Sequence, residues 1–562
     1  MSLTTASPIG HPVHSFEMYP TSMVSRSTFN RSHNLITTMD DGYLVPIWHD
    51  EAVPGDTLKL DISTLTRLAT QIVPFMDHVY MDVHVWAVPY RLVWSHWKNF
   101  MGEQPAKYDP SNPLAGTDYL TPQLTTTTGG VSAGSIYDYF DIPLGVAGVS
   151  FNSFLFRAYN LVWNEWYRSE LLQDPVVVRL GDNGVDQLTD FTLLKRGKRK
   201  DYFTGALPTP QKGPAVDLPL GTEAPVKFNT NASDPYFRSQ FLTSPTIFDS
   251  NGDPFATGAS GTRNNLALSG TSNLVVSNQT VSNPVSQGSA YFSAYADLTS
   301  ATAATINSLR QAFAIQRVFE KDNRGGTRYI EMILSHFGVK SPDDRQQRPE
   351  FLGGGTFNLN LSVVPQTSST NSTTPQGNLS SYGVINGTTK TIVKSFTEHT
   401  LLFAVASIRT DLTYQQGLHR NYSRRSRFDY YLPATANLGE QAILNKEIYS
   451  QGSSVVNAAG DPVDDDVFGY QERWAEMRYK GNRVTGLTRS TASLSLDIWH
   501  LAQDFSSLPT LNSEFIEVND PIDRVIAVSG EGTAQFLCNF YFNETWVRPM
   551  PVYSIPSMSS HF

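Results

Sequence analysis

The sequence predicts a mainly β protein, an antiparallel barrel or sandwich interrupted by large insertions. Three observations lead there. Several segments alternate apolar and polar side chains with period two, the mark of a strand buried on one face. These segments are spread from one end of the 562-residue chain to the other. Long turn-rich excursions separate them, which suits strands that return to a common sheet through loops.

Within 79–89, Val79, Met81, Val83, Val85 and Ala87 share one strand face. Residues 153–172 contain no Pro or Gly and place apolar residues at helical spacing. Their rings, Tyr159, Trp163, Trp166 and Tyr167, are expected in a core or a subunit interface. Residues 305–321 read as a helix capped by Thr305 and ended by Gly325-Gly326, and 328–337 as a second, shorter one. In 356–364, Phe357, Leu359, Leu361 and Val363 alternate with polar residues, and 365–391 follows as a polar loop with Asn386-Gly387 as its tight turn. Leu401–Ile408 is continuously apolar, as in a strand covered on both faces. Further strands are predicted over 493–499, from Leu494, Leu496 and Ile498, and over 535–543, from Phe536, Cys538, Phe540 and Phe542. The Pro-rich tail 548–558 suits an extended arm.

The stretch 221–290 stands apart. Of its 70 residues, 38 are Gly, Ser, Thr, Asn or Pro and seven are charged. That composition predicts loops with short strands at most. Phe228, Tyr236, Phe237, Phe241, Phe248 and Phe255 still give it apolar area to pack on something, so a partly folded surface insertion is expected.

Composition limits the function. Apolar residues make up 40% and aromatics 12%, while only 17% are charged, which hints at surface hidden against other chains. The formal charge of −10 argues against a chain that coats nucleic acid with its whole surface. The single cysteine, Cys538, excludes intrachain disulfides. The first thirty residues show no basic start followed by an apolar run, and no apolar stretch approaches a membrane span, so a cytosol-like compartment is expected.

No specific catalytic motif is expected: no GxSxG elbow, no HExxH and no GxxxxGK[ST]. Gly353-Gly354-Gly355 lacks a following Lys and is not expected to cradle phosphate. Asp464-Asp465-Asp466 could ligate a hard cation, but reads better as a solvated acidic turn after Pro462. His11 and His14 are equally poor metal candidates. Two basic clusters matter more. Lys195, Arg196, Lys198, Arg199 and Lys200 precede Tyr202 and Phe203; Arg420, Arg424, Arg425 and Arg427 are interleaved with Tyr422, Phe428 and Tyr430. Cations mixed with rings suit single-stranded DNA. The competing reading pairs these arginines with carboxylates at subunit seams.

Several long blocks resemble the major capsid proteins of gokushoviruses, of the Microviridae: 26–57, MDHVYMDVHVWAVPYRLVWSHWKNFMGEQ (76–104), 157–175, RGKRKDYFTGALPTPQKG (196–213), 305–339, LGEQAILNKEIY (438–449), 470–486 and DIWHLAQDF (497–505). They run in family order from about residue 26 to 550. The resemblance implies an eight-stranded antiparallel jelly roll with large loop insertions and a few helices, a viral capsid β-barrel. It implies 1–220 as the N-terminal part of the shell domain, 221–290 as a threefold protrusion, and 291–562 as the remainder with a C-terminal arm. On this reading Phe237, Phe241, Phe248 and Phe255 are host-facing candidates, and Lys195, Arg196, Lys198, Arg199, Lys200, Arg424 and Arg425 are DNA-facing ones.

The implied function is structural: self-assembly into a small T=1 icosahedral shell around circular single-stranded DNA, in a virion assembled in the host bacterial cytoplasm. The implied partners are further copies of the chain, the genome, a small basic DNA-binding protein, a pilot protein, an internal scaffolding protein and a bacterial surface receptor. No cofactor, no enzymatic activity and no membrane insertion are expected. The rival classes are a carbohydrate-active β-sandwich enzyme and a secreted adhesin.

Overall fold

The computed structural model describes residues 25–104, 111, 116, 118–214 and 216, short strands at 226–228, 266–269, 273–276 and 294–296, and residues 306–326, 328–372, 375–527 and 533–553. The chain divides into two compact units, residues 1–212 with 320–562, and residues 213–319. In the second unit, Leu266–Ser269 pairs antiparallel with Asn273–Val276, and Val226–Phe228 with Ala294–Ala296. The candidates Phe237, Phe241, Phe248 and Phe255 lie outside the described residues, as do His11, His14 and the end of the tail.

The main unit is built on one curled antiparallel sheet of ten strands: β1 (Ser27–Asn30), β2 (His33–Met39), β3 (Val45–Ala52), β4 (Thr57–Leu68), β5 (Val79–Pro89), β6 (Glu350–Pro365), β7 (Leu379–Thr388), β8 (Ile392–Ser395), β9 (Thr400–Thr410) and β10 (Phe536–Arg548). The order is β1-β10-β4-β7-β6-β5-β9-β3, with β2 beside β10 and β8 beside β4. β1 and β2 pair with successive parts of β10, and β7 and β8 with successive parts of β4. This curled antiparallel sheet with few helices is consistent with a jelly roll.

Alternation sets the inward face. Leu58, Leu60 and Ile62 of β4 and Phe536, Cys538, Phe540, Phe542 and Trp546 of β10 are fully buried. They share one core with Val45 and Ile47 of β3 and Met81, Val83 and Val85 of β5, so strands from the two halves of the strand order pack into it. β9 is buried along its whole length. Leu402, Ala404, Ala406 and Ile408 enter the first core, while Leu401, Phe403 and Val405 enter a second on the opposite face. Helix α1 (Phe154–Val162) covers that second face with Phe156, Ala158, Tyr159 and Val162. Its Arg157 is fully buried too, 2.7 Å from Asp186 and donating to the Val93 and Gly181 carbonyls at 2.9 Å.

Three predicted elements are corrected. Residues 493–499 form turns instead of a strand; Leu494 has φ 58° and is 91% exposed, and Leu496 N–H bonds back to Leu487 O at 2.9 Å. Among the described residues no strand pairs with this segment, and alternation alone cannot supply one. Asn386-Gly387 lies inside β7, opposite Leu65 and Thr64, and the connecting turn falls at 366–378. Gly387 is required by packing, since a Cβ there would run into the Phe357 ring. The predicted helix over 153–172 ends at Tyr167 in a π turn, after which Arg168 is extended. The helices predicted at 305–321 and 328–337 are present as α2 (Ile306–Gly325) and α3 (Tyr329–Phe337), the latter capped by left-handed Gly338, while the expected cap Thr305 lies outside the described residues.

The three glycines 353–355 sit within β6 beside a bulge, and a Cβ on Gly354 would collide with the Val83 carbonyl oxygen. Among the described residues, no helix is long and apolar enough to cross a membrane.

Candidate nucleic-acid interface

The first basic cluster lies on an extended segment clamped on both sides. Arg196 N–H bonds Gly42 O at 2.7 Å, and Lys198 N–H bonds Ile516 O at 2.6 Å. An extended backbone sends successive side chains to opposite sides. Arg196 goes inward, 2.5 Å from Asp82, which also accepts from Arg409 at 2.8 Å and Thr356 at 2.5 Å. Burial opposes the Asp82 charge, yet Arg196 and Arg409 hold its carboxyl well below the usual range. Lys198 also turns in, donating to Phe515 O at 2.8 Å, and burial lowers its pKa. Lys195 rests over the Tyr43 ring, 5.2 Å from its centroid. Arg199 and Lys200 are exposed, and neither has an ion-pair partner among the described residues.

The second cluster divides in the same way. Arg420 donates to Glu447 at 2.9 Å and Arg424 to Glu476 at 3.1 Å, both carboxylates being buried. Arg425 and Arg427 are exposed, the latter over Phe428 at 4.9 Å. Tyr422 and Phe428 are exposed beside them. The expected rings Tyr202 and Phe203 are instead packed: Tyr202 O–H donates to Glu447 at 2.9 Å, and Phe203 lies edge-on to Tyr414 at 5.0 Å. Pairing with carboxylates thus occurs inside the subunit for Arg196, Arg420 and Arg424.

Two cavities adjoin these clusters. One of about 540 Å³ is bordered by Arg196–Lys200 and by Arg324 and Arg328. The other, about 290 Å³, gathers Arg420 and Tyr422 with Lys480 and Arg483. Arg324, Arg328, Lys480 and Arg483 were absent from the sequence-based candidates because they lie far from both clusters along the chain. Their only sequence signal is a basic residue within two positions of a Gly, in DNRGGTR and YKGNR.

The remaining candidates resolve into structure. Tyr159 O–H donates to Leu44 O, Trp163 to Lys195 O and Trp166 to Pro349 O, at 2.9, 2.9 and 3.0 Å; Tyr159 and Trp163 are core, and Trp166 is half-buried against it. The acidic run is a solvated turn only in part, with Asp465 exposed and Asp464 not. Asp464 is buried and accepts from Ser450, Gln451 and Gly452, while Asp465 pairs with Lys446 and Asp466 with Asn457. Each carboxylate is used separately, and no metal-holding group of His, Cys, Asp and Glu occurs among the described residues. The expected absence of a GxSxG elbow is corrected in its letters, since Gly130-Val131-Ser132-Ala133-Gly134 carries them. Ser132 is exposed in a turn with no preceding long strand, so the match is one of letters only.

The family comparison agrees with the fold. Residues 17–558 match the family described as capsid protein (F protein). Three relatives are named capsid protein VP1. That of Bdellovibrio phage phiMH2K is 43% identical, covering 98% of this chain and 99% of the relative. That of Chlamydia phage 1 is 42% identical over 97% of each, and that of Spiroplasma virus 4 is 36% identical over 97% and 98%. The resemblance to Microviridae capsid proteins is borne out. The chain belongs to the capsid protein (F protein) family, and is a structural subunit of a virion shell and not an enzyme.

Proposed function

We propose that the chain assembles into a small T=1 icosahedral shell enclosing a circular single-stranded DNA genome. The 221–290 insertion serves host attachment, and assembly takes place in the host bacterial cytoplasm. A small basic DNA-binding protein, a pilot protein and an internal scaffolding protein assist. The acidic net charge of −10 fits this division of labour, since the shell does not neutralise the genome unaided.

The observation that carries the shell contact is α3. Its sequence YIEMILSHF is largely apolar, yet none of its residues is buried. Tyr329 is 63% exposed and Phe337 73%, with Val339 beyond the cap at 56%. An apolar helix left open on a subunit calls for a partner, and in a shell that partner is another copy. Individually modest contacts suffice because each subunit makes several at once. Among the basic clusters, Arg199, Lys200, Arg425 and Lys195 remain available to DNA; Arg196, Lys198 and Arg424 are already engaged.

The test is electron microscopy of the purified protein together with a Phe337→Asp variant. Wild type gives closed particles of uniform size, and the variant loses particle yield with an unchanged monomer melting temperature. Open or irregular wild-type assemblies overturn the closed shell; wild-type yield in the variant removes α3 from the contact.

A further inference from the structure

The cavity of about 540 Å³ beside the first basic cluster has a composition unlike the chain as a whole. Seven of its lining side chains are Lys or Arg and two are Glu, a formal excess of five positive charges in a chain of net −10. Its volume lies within the roughly 300–1,000 Å³ usual for sites that enclose a small ligand. One wall is aromatic. His84 and Tyr167 lie nearly parallel with centroids 5.9 Å apart, joined by a 2.7 Å hydrogen bond between Nδ1 and the hydroxyl. Phe351 of β6 stands edge-on to His84 at 5.6 Å and lies 5.0 Å from Trp86. Phe351 is 41% exposed, so a planar group can reach its ring. Burial holds the His84 pKa down to about 4, which leaves the wall uncharged at neutral pH.

The cations differ in what they can offer. Arg196 is committed to Asp82, Lys198 to a carbonyl, and Arg328 to Glu170 at 2.6 Å. Arg199 and Lys200 line the same cavity without an ion-pair partner among the described residues. An uncharged ring surface bordered by unpaired cations fits a flat aromatic group joined to a phosphate. A basic peptide would meet the positive excess, and a purely aliphatic ligand would leave it unanswered.

We propose that this cavity takes one nucleotide of the enclosed single strand, with the base stacked on Phe351 and its phosphate met by Arg199 and Lys200. The inference rests on the reading that the shell encloses single-stranded DNA. Stacking uses the face of a base and not its edges, so the site accepts any base. Each subunit thereby pins the strand at one point while the rest of the genome is left to other partners.

The experiment uses full-length, unassembled subunit and fluorescence anisotropy with two labelled twelve-residue probes, an oligothymidylate and an abasic strand with the same phosphates. The oligothymidylate binds about tenfold more tightly. Phe351→Ala abolishes that difference and leaves the abasic affinity unchanged, while Phe351→Tyr keeps it. Arg199→Gln with Lys200→Gln weakens both probes and lowers the salt slope by about 1.4, the value for two phosphate contacts on a single strand. Equal wild-type affinities for the two probes, or a base preference that survives Phe351→Ala, overturn the proposal. So does an oligoarginine peptide that binds wild type and is lost with Phe351→Ala, since the occupant is then a basic protein. The DNA content of wild-type particles separates the two readings: empty particles overturn enclosure itself, whereas filled particles with equal probe affinities overturn only the cavity.

Discussion

β9 and β10 are both long central strands, and they are covered differently. β9 is buried on both faces, with core residues on one side and the α1 layer on the other. β10 buries Phe536, Phe540 and Phe542 but turns Leu537 and Tyr541 to the surface, 55% and 47% exposed. Beside it, Ile36 of β2 is 70% exposed and Leu65 of β4 46%. The difference teaches what the large insertion between β5 and β6 does. It supplies the second layer for one half of the sheet and leaves the other half one-sided. It also brings in charge: Arg196, from that insertion, reaches Asp82 on the outer face of β5.

Electrostatics sharpen the same contrast. Asp82 is buried but held by two guanidiniums, so its pKa is depressed. Such a group contributes stability at neutral pH that is lost only when strong acid protonates it in the folded state. Asp41, at the junction before β3, has no such partner. Burial first, and then the neighbouring Asp520 carboxylate, raise its pKa to about 6. Its sign is opposite: the stabilising contribution is full below the unfolded value near 3.8 and is lost as pH rises through about 6.

Three substitutions can break or sharpen this comparison. Phe403→Ala, in the doubly covered strand, removes a fully buried ring and costs about 3–5 kcal/mol, read as a lowered urea midpoint of the subunit. A loss below about 1 kcal/mol would mean that the α1 layer does not cover β9. Asp41→Asn keeps an acceptor for the Asp520 N–H, now 2.8 Å away, and removes the buried charge. It should flatten the fall in stability between about pH 4 and 6 and add up to about 3 kcal/mol at pH 7.5. Urea midpoints at pH 4.5 and 7.5 that shift as in wild type would discount Asp41. Leu537→Ala, on the one-sided half, should change subunit stability by less than about 0.5 kcal/mol. A larger loss would show that the β10 outer face is covered within the subunit.

Much of this fold was legible. The alternation in 79–89, 356–364 and 535–543 and the unbroken apolar run at 401–408 each correspond to a strand in the sheet. Gly325-Gly326 and Gly338 end the two later helices because a glycine leaves the α region at little cost. The candidate interface was legible only as a composition. Five cations in 195–200 look alike in sequence, yet clamping between Gly42 and Ile516 turns Arg196 and Lys198 inward and leaves Arg199 and Lys200 outside. Asp464 looked solvated because nothing in its own segment shows Ser450 and Gln451 arriving to bury it.

By itself, the sequence determined which residues can alternate, where helices stop, that 221–290 is turn-rich, and to which family the chain belongs. Those properties are local or carried by long ordered blocks. Tertiary structure alone decided which strand face receives a second layer, which cations are paired, and that 493–499 is not a strand. Period two states the side of its own backbone on which a residue lies. What covers that side depends on segments hundreds of residues away, as Asp82 and Arg409 meet across a sequence separation of 327.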